Sequence, residues 1–253
     1  MKNIFDTHAH YTDAAFDGDR EELLGSLCES GICGVINCGF DIESSRASVL
    51  LAKKYGYIYA ACGIHPEEIH KLSPDWENEL NALLDLPECV AVGEIGLDRH
   101  YRSDDIELQK EVFEKQLLLA NEKGLPVIIH DREAHEETYA LLAKHKPHGV
   151  LHCFSGSAES AAEIIKNGMY IGIGGALTFN NARRAVEVVA SLPLDRLLFE
   201  TDCPYMAPVP YRGKRNDSRL IEFVAQKAAE IRGTDAQLLL DTAAENARRL
   251  FLK

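Results

Sequence analysis

The sequence predicts a (β/α)8 TIM barrel of the α/β class, one domain over residues 1–253. Three observations carry that reading. Eight short apolar segments alternate with amphipathic stretches, the rhythm that builds a parallel sheet flanked by helices. No linker, low-complexity tract or internal repeat divides the chain. Residues able to bind metal follow five of the apolar segments; a closed barrel gathers those ends onto one rim, whereas a doubly wound open sheet would set them in a row.

The strands fall near residues 2–8, 34–40, 57–64, 88–96, 125–131, 149–154, 169–175 and 197–202. The first runs into Asp6-Thr7-His8-Ala9-His10; side chains two apart on a strand point the same way, so His8 and His10 project together. Glu21–Leu27 and Ser44–Ala52 are amphipathic and flank the second strand as helices. The third leads to His65-Pro66, and the fourth, Cys89–Gly93, leads to Glu94. The longest helix spans Ile106–Lys123, with Leu108, Val112, Phe113, Gln116, Leu117 and Ala120 marking one side. Gly56, Gly124 and Gly168 follow helices, where left-handed caps are common. The fifth strand leads to His130, the sixth to His152 and the eighth to Asp202; the seventh ends on Gly174-Gly175, a point of close backbone approach. By alternation Val90, Val92 and Glu94 share a face, as do Ile128, His130 and Arg132, then Val150 and His152, then Leu198, Glu200 and Asp202. The same parity turns Cys153 and Cys203 away as packing residues.

His8, His10, Glu94, His130, His152 and Asp202 therefore converge. An H-x-H pair is common, and a lone histidine at a strand end is more often an ordinary polar residue than a ligand. Six at the ends of apolar runs, with none in a helical stretch, are a joint signal. Four imidazoles and two carboxylates exceed the three protein ligands of a catalytic zinc. They suit a pair of ions about 3.5–4 Å apart bridged by one carboxylate.

Composition bounds the rest. With 253 residues, 46% hydrophobic and 26% charged, the chain buries a large core. No apolar run reaches the ~20 residues that span a bilayer, and the start lacks a signal-peptide core, so no membrane partner is expected. The seven cysteines are scattered without a CxxC pair, which argues against a zinc ribbon or disulfide framework and for a reducing cytoplasmic location. The formal charge of -13 argues against a broad nucleic-acid surface but not against a small site handling one phosphate at a time.

With these residues placed, the chain resembles the TatD family of metal-dependent deoxyribonucleases, among the amidohydrolase-like barrels. The resemblance rests on Asp6–His10, Gly63–Pro66, Gly93–Asp98, Ile129–Ala134, His152–Gly156, Glu200–Tyr205 and Asn246–Phe251, in order over essentially the whole length. Ala9 stands where many relatives have Cys, and Arg215-Asn216-Asp217-Ser218 departs from a more usual R-N-E-P. The resemblance implies nuclease activity, often from a 3′ end, with His8, His10, Glu94, His130, His152 and Asp202 as metal ligands.

The expected reaction is hydrolysis of a phosphodiester at DNA, or RNA, ends by metal-activated water. His8, His10 and Asp202 would hold one ion, His130 and His152 the other, and Glu94 would bridge them, with Asp202 as general base. Imidazole and carboxylate ligands fit two divalent ions drawn from Zn, Mn, Fe or Mg. Glu94 and Asp202 are the catalytic pair. His65, Arg132, Arg212 and Arg215 are candidate substrate contacts, the last two in the basic run Tyr211–Arg219. The ordinary alternatives are a loop histidine for His65, a pairing with Asp131 or Glu133 for Arg132, and a solvated loop for the run. Asn216 and Asp217 are expected to cap the following helix. Asp98 and Glu200 read as supporting or surface residues. Two other function classes compete: a metal-dependent amidohydrolase of a small cyclic substrate, and a metal-binding barrel without turnover. Related amidohydrolases often carry a carbamylated lysine on the fourth strand, where this chain has Glu94, which favours the nuclease.

Overall fold

All eight apolar segments form strands, and they pair in parallel in chain order within one sheet of the computed structural model, which describes residues 1–252. They are β1 (Ile4–Ala9), β2 (Ile32–Cys38), β3 (Ile58–Cys62), β4 (Cys89–Asp98), β5 (Val127–Arg132), β6 (Gly149–Leu151), β7 (Tyr170–Ile173) and β8 (Leu197–Phe199). Helices return the chain between them: α1 (Arg20–Ser26), α2 (Ile42–Lys54), α3 (Trp76–Leu84), α4 (Ile106–Lys123), α5 (His135–His145), α6 (Ala158–Lys166) and α7 (Arg183–Ser191). α8 (Ile221–Arg232) and α9 (Ala236–Phe251) follow β8. Lys253, the last residue of the expected domain, lies outside the described residues.

Local chemistry sets the helix ends. α2 starts in a capping box: Ser44 N–H donates to the Asp41 carboxylate at 2.7 Å, and the Ser44 hydroxyl accepts from Asp41 N at 3.0 Å. α4 covers the predicted span and stops on Gly124 at φ 62°. Gly56 departs from expectation, because the extended backbone of Tyr55 already ends α2. Leu108 also departs: it is exposed, and α4 instead buries Gln109 beside the expected Val112, Phe113, Gln116 and Leu117. The two glutamines satisfy backbone at or just past the strand ends. Gln109 accepts from Asp98 N at 2.8 Å and donates to Asp98 O at 3.0 Å, and Gln116 does the same for Ile64 at 2.8 and 3.1 Å.

Two apolar layers result. The larger lies between sheet and helices. The smaller joins Phe5, Ile36, Cys38, Ala61, Ala91, Ile128, Val150, Tyr170 and Leu198, with every strand represented, which fills the barrel interior. Ala244, Ala247, Leu250 and Phe251 of α9 pack into the same cluster. Asn246 donates to Leu194 O and Leu197 O at 2.8 and 2.9 Å, which places α9 across the end where the strands begin. The Leu239, Leu240, Ala243, Ala244, Ala247, Leu250 spacing was a helical signal for this plug.

Ile128, Val150 and Leu198 point inward on β5, β6 and β8, and β6 and β8 end before His152 and Glu200. Alternation fails on β4. Ala91 faces the interior while Val92 belongs to the outer layer, so Val92 and Glu94 do not share a face as expected. A register shift between Val92 and Ile95 turns Glu94 inward, and β4 continues to Asp98 rather than ending there. β1 shows the same device, with Phe5 inside, Ala9 in the outer layer and a shift between Asp6 and Ala9.

The β8–β1 seam closes through side chains as well as backbone. The buried Asp6 carboxylate accepts from His8 N (3.2 Å), Thr201 N (3.0 Å), Thr201 Oγ1 (2.7 Å) and Ser218 Oγ (2.7 Å). Burial pushes its carboxyl up to about 7, against the four bonds that favour the charged form. Above it, Asp202 N donates to His8 O at 2.9 Å and His10 N to Cys203 O at 2.8 Å.

Candidate metal centre

The six residues expected to converge do so at the end of the barrel opposite α9. Glu94 is the hub. Its Oε2 lies 3.2 Å from His8 Nε2 and 3.4 Å from His10 Nε2; its Oε1 lies 3.0 Å from both His130 Nδ1 and His152 Nε2. The Asp202 Oδ1 stands 3.4 Å from His10 Nε2 and 3.7 Å from His8 Nε2. The two glutamate oxygens therefore face different imidazole groups. His152 is shared between them, since its ring also stacks on His8 at 3.9 Å and it clusters with His8 and Asp202.

The surroundings aim the rings. Cys38 O lies 3.0 Å from His10 Nδ1, so that nitrogen carries the proton and Nε2 presents a lone pair to the cluster. Asp98 Oδ2 lies 3.0 Å from His130 Nε2, which leaves Nδ1 facing Glu94. Glu200 Oε1 accepts from Cys153 N and stands 3.5 Å from His152 Nδ1. Gly172 makes room for it, as a Cβ there would meet Glu200 Oε2 at 2.4 Å. Asp98 and Glu200 thus support the cluster.

Burial and charge oppose each other throughout. Burial favours a neutral Glu94, but the surrounding imidazoles of His8, His152 and His65 and a bond to His10 hold it well below the usual carboxylate range. Burial likewise lowers His10 and His130, yet bonds to Asp202 and Glu94 raise the former to about 10, and bonds to Asp98 and Glu94 raise the latter to about 9. His8 moves down, through burial and the neighbouring His152. Positive charge is what these carboxylates demand, whether as protons or as a divalent ion. Lone-pair nitrogens and carboxylate oxygens within ligand reach of one another, without a thiolate, are a donor set that fits such an ion.

A cavity of about 760 Å³ opens over the cluster, and His8 lies beneath its floor, fully buried. His65 lines the cavity with Nε2 3.7 Å from Glu94 Oε1, and with Glu94 and His130 it forms a further candidate group. Its Nδ1 accepts from Glu67 N at 3.2 Å, so the proton sits on Nε2 and points into the cavity as a donor. Burial and the His130 charge lower His65 to about 3, which keeps it neutral.

Residues 5–252 match the family described as TatD related DNase. The chain belongs to the TatD family. It is 39% identical over 254 residues to the Bacillus subtilis protein named as an uncharacterized metal-dependent hydrolase, YabD, with 98% of each chain covered. It is 35% identical over 261 residues to the Cronobacter sakazakii protein named as a 3′-5′ ssDNA/RNA exonuclease TatD, covering 99% of this chain and 98% of that one. Among solved structures, the YjjV TatD homologue of Escherichia coli superposes with a TM-score of 0.91 at 34% identity, covering 98% of both chains. The chain is a TatD-type metal-dependent hydrolase on a TIM barrel. No helix among the described residues is long and apolar enough to cross a membrane.

Around this TatD site the other expected residues divide. Arg132 lines the cavity, its guanidinium 4.6 Å above the Tyr101 ring. Arg212 is not on the cavity wall and stacks 4.2 Å over Phe179. Arg215 is outside the cavity lining: its guanidinium grips both oxygens of Asp19 at 2.6 Å in an exposed ion pair, donates to Ala15 O at 2.9 Å and covers the Phe16 ring. Asp217 caps the next turn through Arg219 N at 3.0 Å, whereas Asn216 instead holds the preceding loop, donating to Thr201 O and Tyr205 O. Cys153 is a correction: β6 stops at Leu151 and Cys153 takes φ 45°, so its parity lapses and it lines the cavity. Sequence reasoning missed Tyr101 and Tyr205 on the cavity wall; each stands three residues past a carboxylate of the site, Asp98 and Asp202.

Proposed function

We propose that this protein, a single barrel domain over residues 1–253, is a two-metal exonuclease that removes nucleotides from the 3′ ends of single-stranded DNA or RNA. The observation that carries the reading is the partition at Glu94, one oxygen toward His8 and His10 and the other toward His130 and His152. The relatives named as 3′-5′ ssDNA/RNA exonucleases, matched along almost their whole length, support the substrate and the polarity.

His8, His10 and Asp202 would hold one divalent ion, His130 and His152 the second, with Glu94 between them. Ions bound there lower the pKa of water and neutralise phosphate charge. Asp202, with about a fifth of its side chain exposed to the cavity, accepts the proton of the attacking water. His65 Nε2–H donates to a phosphate oxygen, and Arg132 supplies the second contact to the same group. Asp98 and Cys38 O keep His130 and His10 in the tautomers that present lone pairs. The ends of five strands fix the geometry, and the scissile phosphate approaches through the cavity.

The test is the purified protein with Mn, Mg or Zn against end-labelled single-stranded DNA, RNA, duplex DNA and a panel of cyclic amides. Stepwise shortening from the 3′ end with release of mononucleotides is expected. Hydrolysis of a cyclic amide with intact strands would replace this reading with an amidohydrolase.

A further inference from the structure

A protein that degrades single strands must hold them, and the expected means were the cations of Tyr211–Arg219. Arg215 is paired with Asp19, Arg219 with Asp217, and Arg212 lies on Phe179 away from the cavity wall. The wall itself is acidic. Asp13, Glu67, Glu68 and Asp131 line it together with the site carboxylates, and Arg132 is the one arginine on it. Away from the metals, His65 and Arg132, such a wall repels a polyanion, which leaves room for a second kind of grip.

Two tyrosines offer it. Tyr101 and Tyr205 line the cavity and are 58% and 56% exposed, unusual for large aromatic rings with apolar faces to bury. They follow β4 and β8, which lie half a turn apart round the barrel, so the rings flank the cavity from opposite sides. Both are anchored. Tyr101 N donates to Asp98 Oδ1 at 2.7 Å, and Arg132 backs its ring. Tyr205 N donates to Asp202 O at 2.9 Å, and its hydroxyl to Asp13 Oδ2 at 2.9 Å. Each tyrosine is therefore tied through its backbone N–H to a residue of the metal site, Tyr101 to the Asp98 carboxylate and Tyr205 to the Asp202 carbonyl.

We propose that Tyr101 and Tyr205 are base-stacking residues that grip the terminal nucleotides of a single strand, so that affinity comes from ring stacking more than from phosphate charge. The proposal rests on the nuclease reading for its substrate. Every base has a π face, so such a grip tolerates sequence and excludes a paired duplex end whose bases are already stacked. It also predicts a shallow salt dependence, with a slope near that of about one phosphate rather than of a basic track.

The experiment measures binding apart from turnover. A hydrolysis-resistant phosphorothioate single strand carries 2-aminopurine at its 3′ end, and a matched strand carries abasic residues at its last two positions. Wild type is expected to quench the 2-aminopurine and to bind the abasic strand at least about tenfold more weakly. Tyr101→Ala and Tyr205→Ala should each erase most of that preference, and Tyr101→Trp should restore it, which separates lost stacking from a disturbed loop. Equal affinity of wild type for the two strands overturns the proposal, as does an alanine variant that keeps the full preference. Quenching by a protein that cleaves no strand would overturn the nuclease reading and leave the stacking grip standing.

Discussion

At the end where its strands begin, the barrel is filled by Phe5, Ile36, Ala91, Ile128 and Leu198 and sealed by Leu250 and Phe251 of α9. At the other end the same strands deliver four histidines, Glu94 and Asp202 into a cluster almost as deeply buried. Apolar burial at the first end needs no partner and stabilises in proportion to area. Burial at the second opposes every charge it encloses, and the groups remain there because each faces an opposite charge or a hydrogen bond. The difference teaches where to look for each property: stability in the plug, function in the cluster, with the seam at Asp6 joining the two.

Breaking that division begins with its largest expected effect. Glu94→Gln keeps the shape of the hub and removes its charge, so turnover should fall by more than about a hundredfold, beyond the loss usual when only a ligand's supporting partner changes. Circular dichroism should be unchanged; near-normal turnover would remove Glu94 from the site. Phe251→Ala attacks the other end. It should cost about 3–5 kcal/mol in denaturant unfolding while specific activity below the new transition stays close to wild type. Chelation should do the reverse, abolishing turnover with secondary structure intact, and an apo protein that loses its helices would erase the distinction. Asp98→Asn should weaken metal binding by about 10–100-fold, read by titration with Mn. The smallest effect sharpens the contrast within the upper rim. Arg132→Ala should raise KM for single strands, whereas Arg215→Ala should leave it alone because Arg215 answers Asp19; a larger effect at Arg215 would return the basic loop to the substrate path.

What was legible in the chain follows from range. The eight strands and the long helix α4 are written in local apolar periodicity, and the six convergent residues stand directly behind apolar runs. Two kinds of feature escaped. Register shifts on β1 and β4 flip a side chain without changing the sequence pattern, which is why Val92 and Glu94 part faces. Pairings across the fold are equally silent: Arg215 meets Asp19 across 196 positions, and a basic run looks free until its partners are seen. Cys153 belongs to the first kind, since nothing local announces that β6 ends at Leu151.

The central claim is that Glu94 joins two metal positions. It is tested most directly by counting ions, with Mn added to the apo protein and bound metal per chain followed by electron paramagnetic resonance and elemental analysis. Two ions per chain are predicted, with a spin-coupled signal that Glu94→Gln abolishes. Full activity with a single ion per chain, or a coupled pair that survives the loss of Glu94, would contradict it.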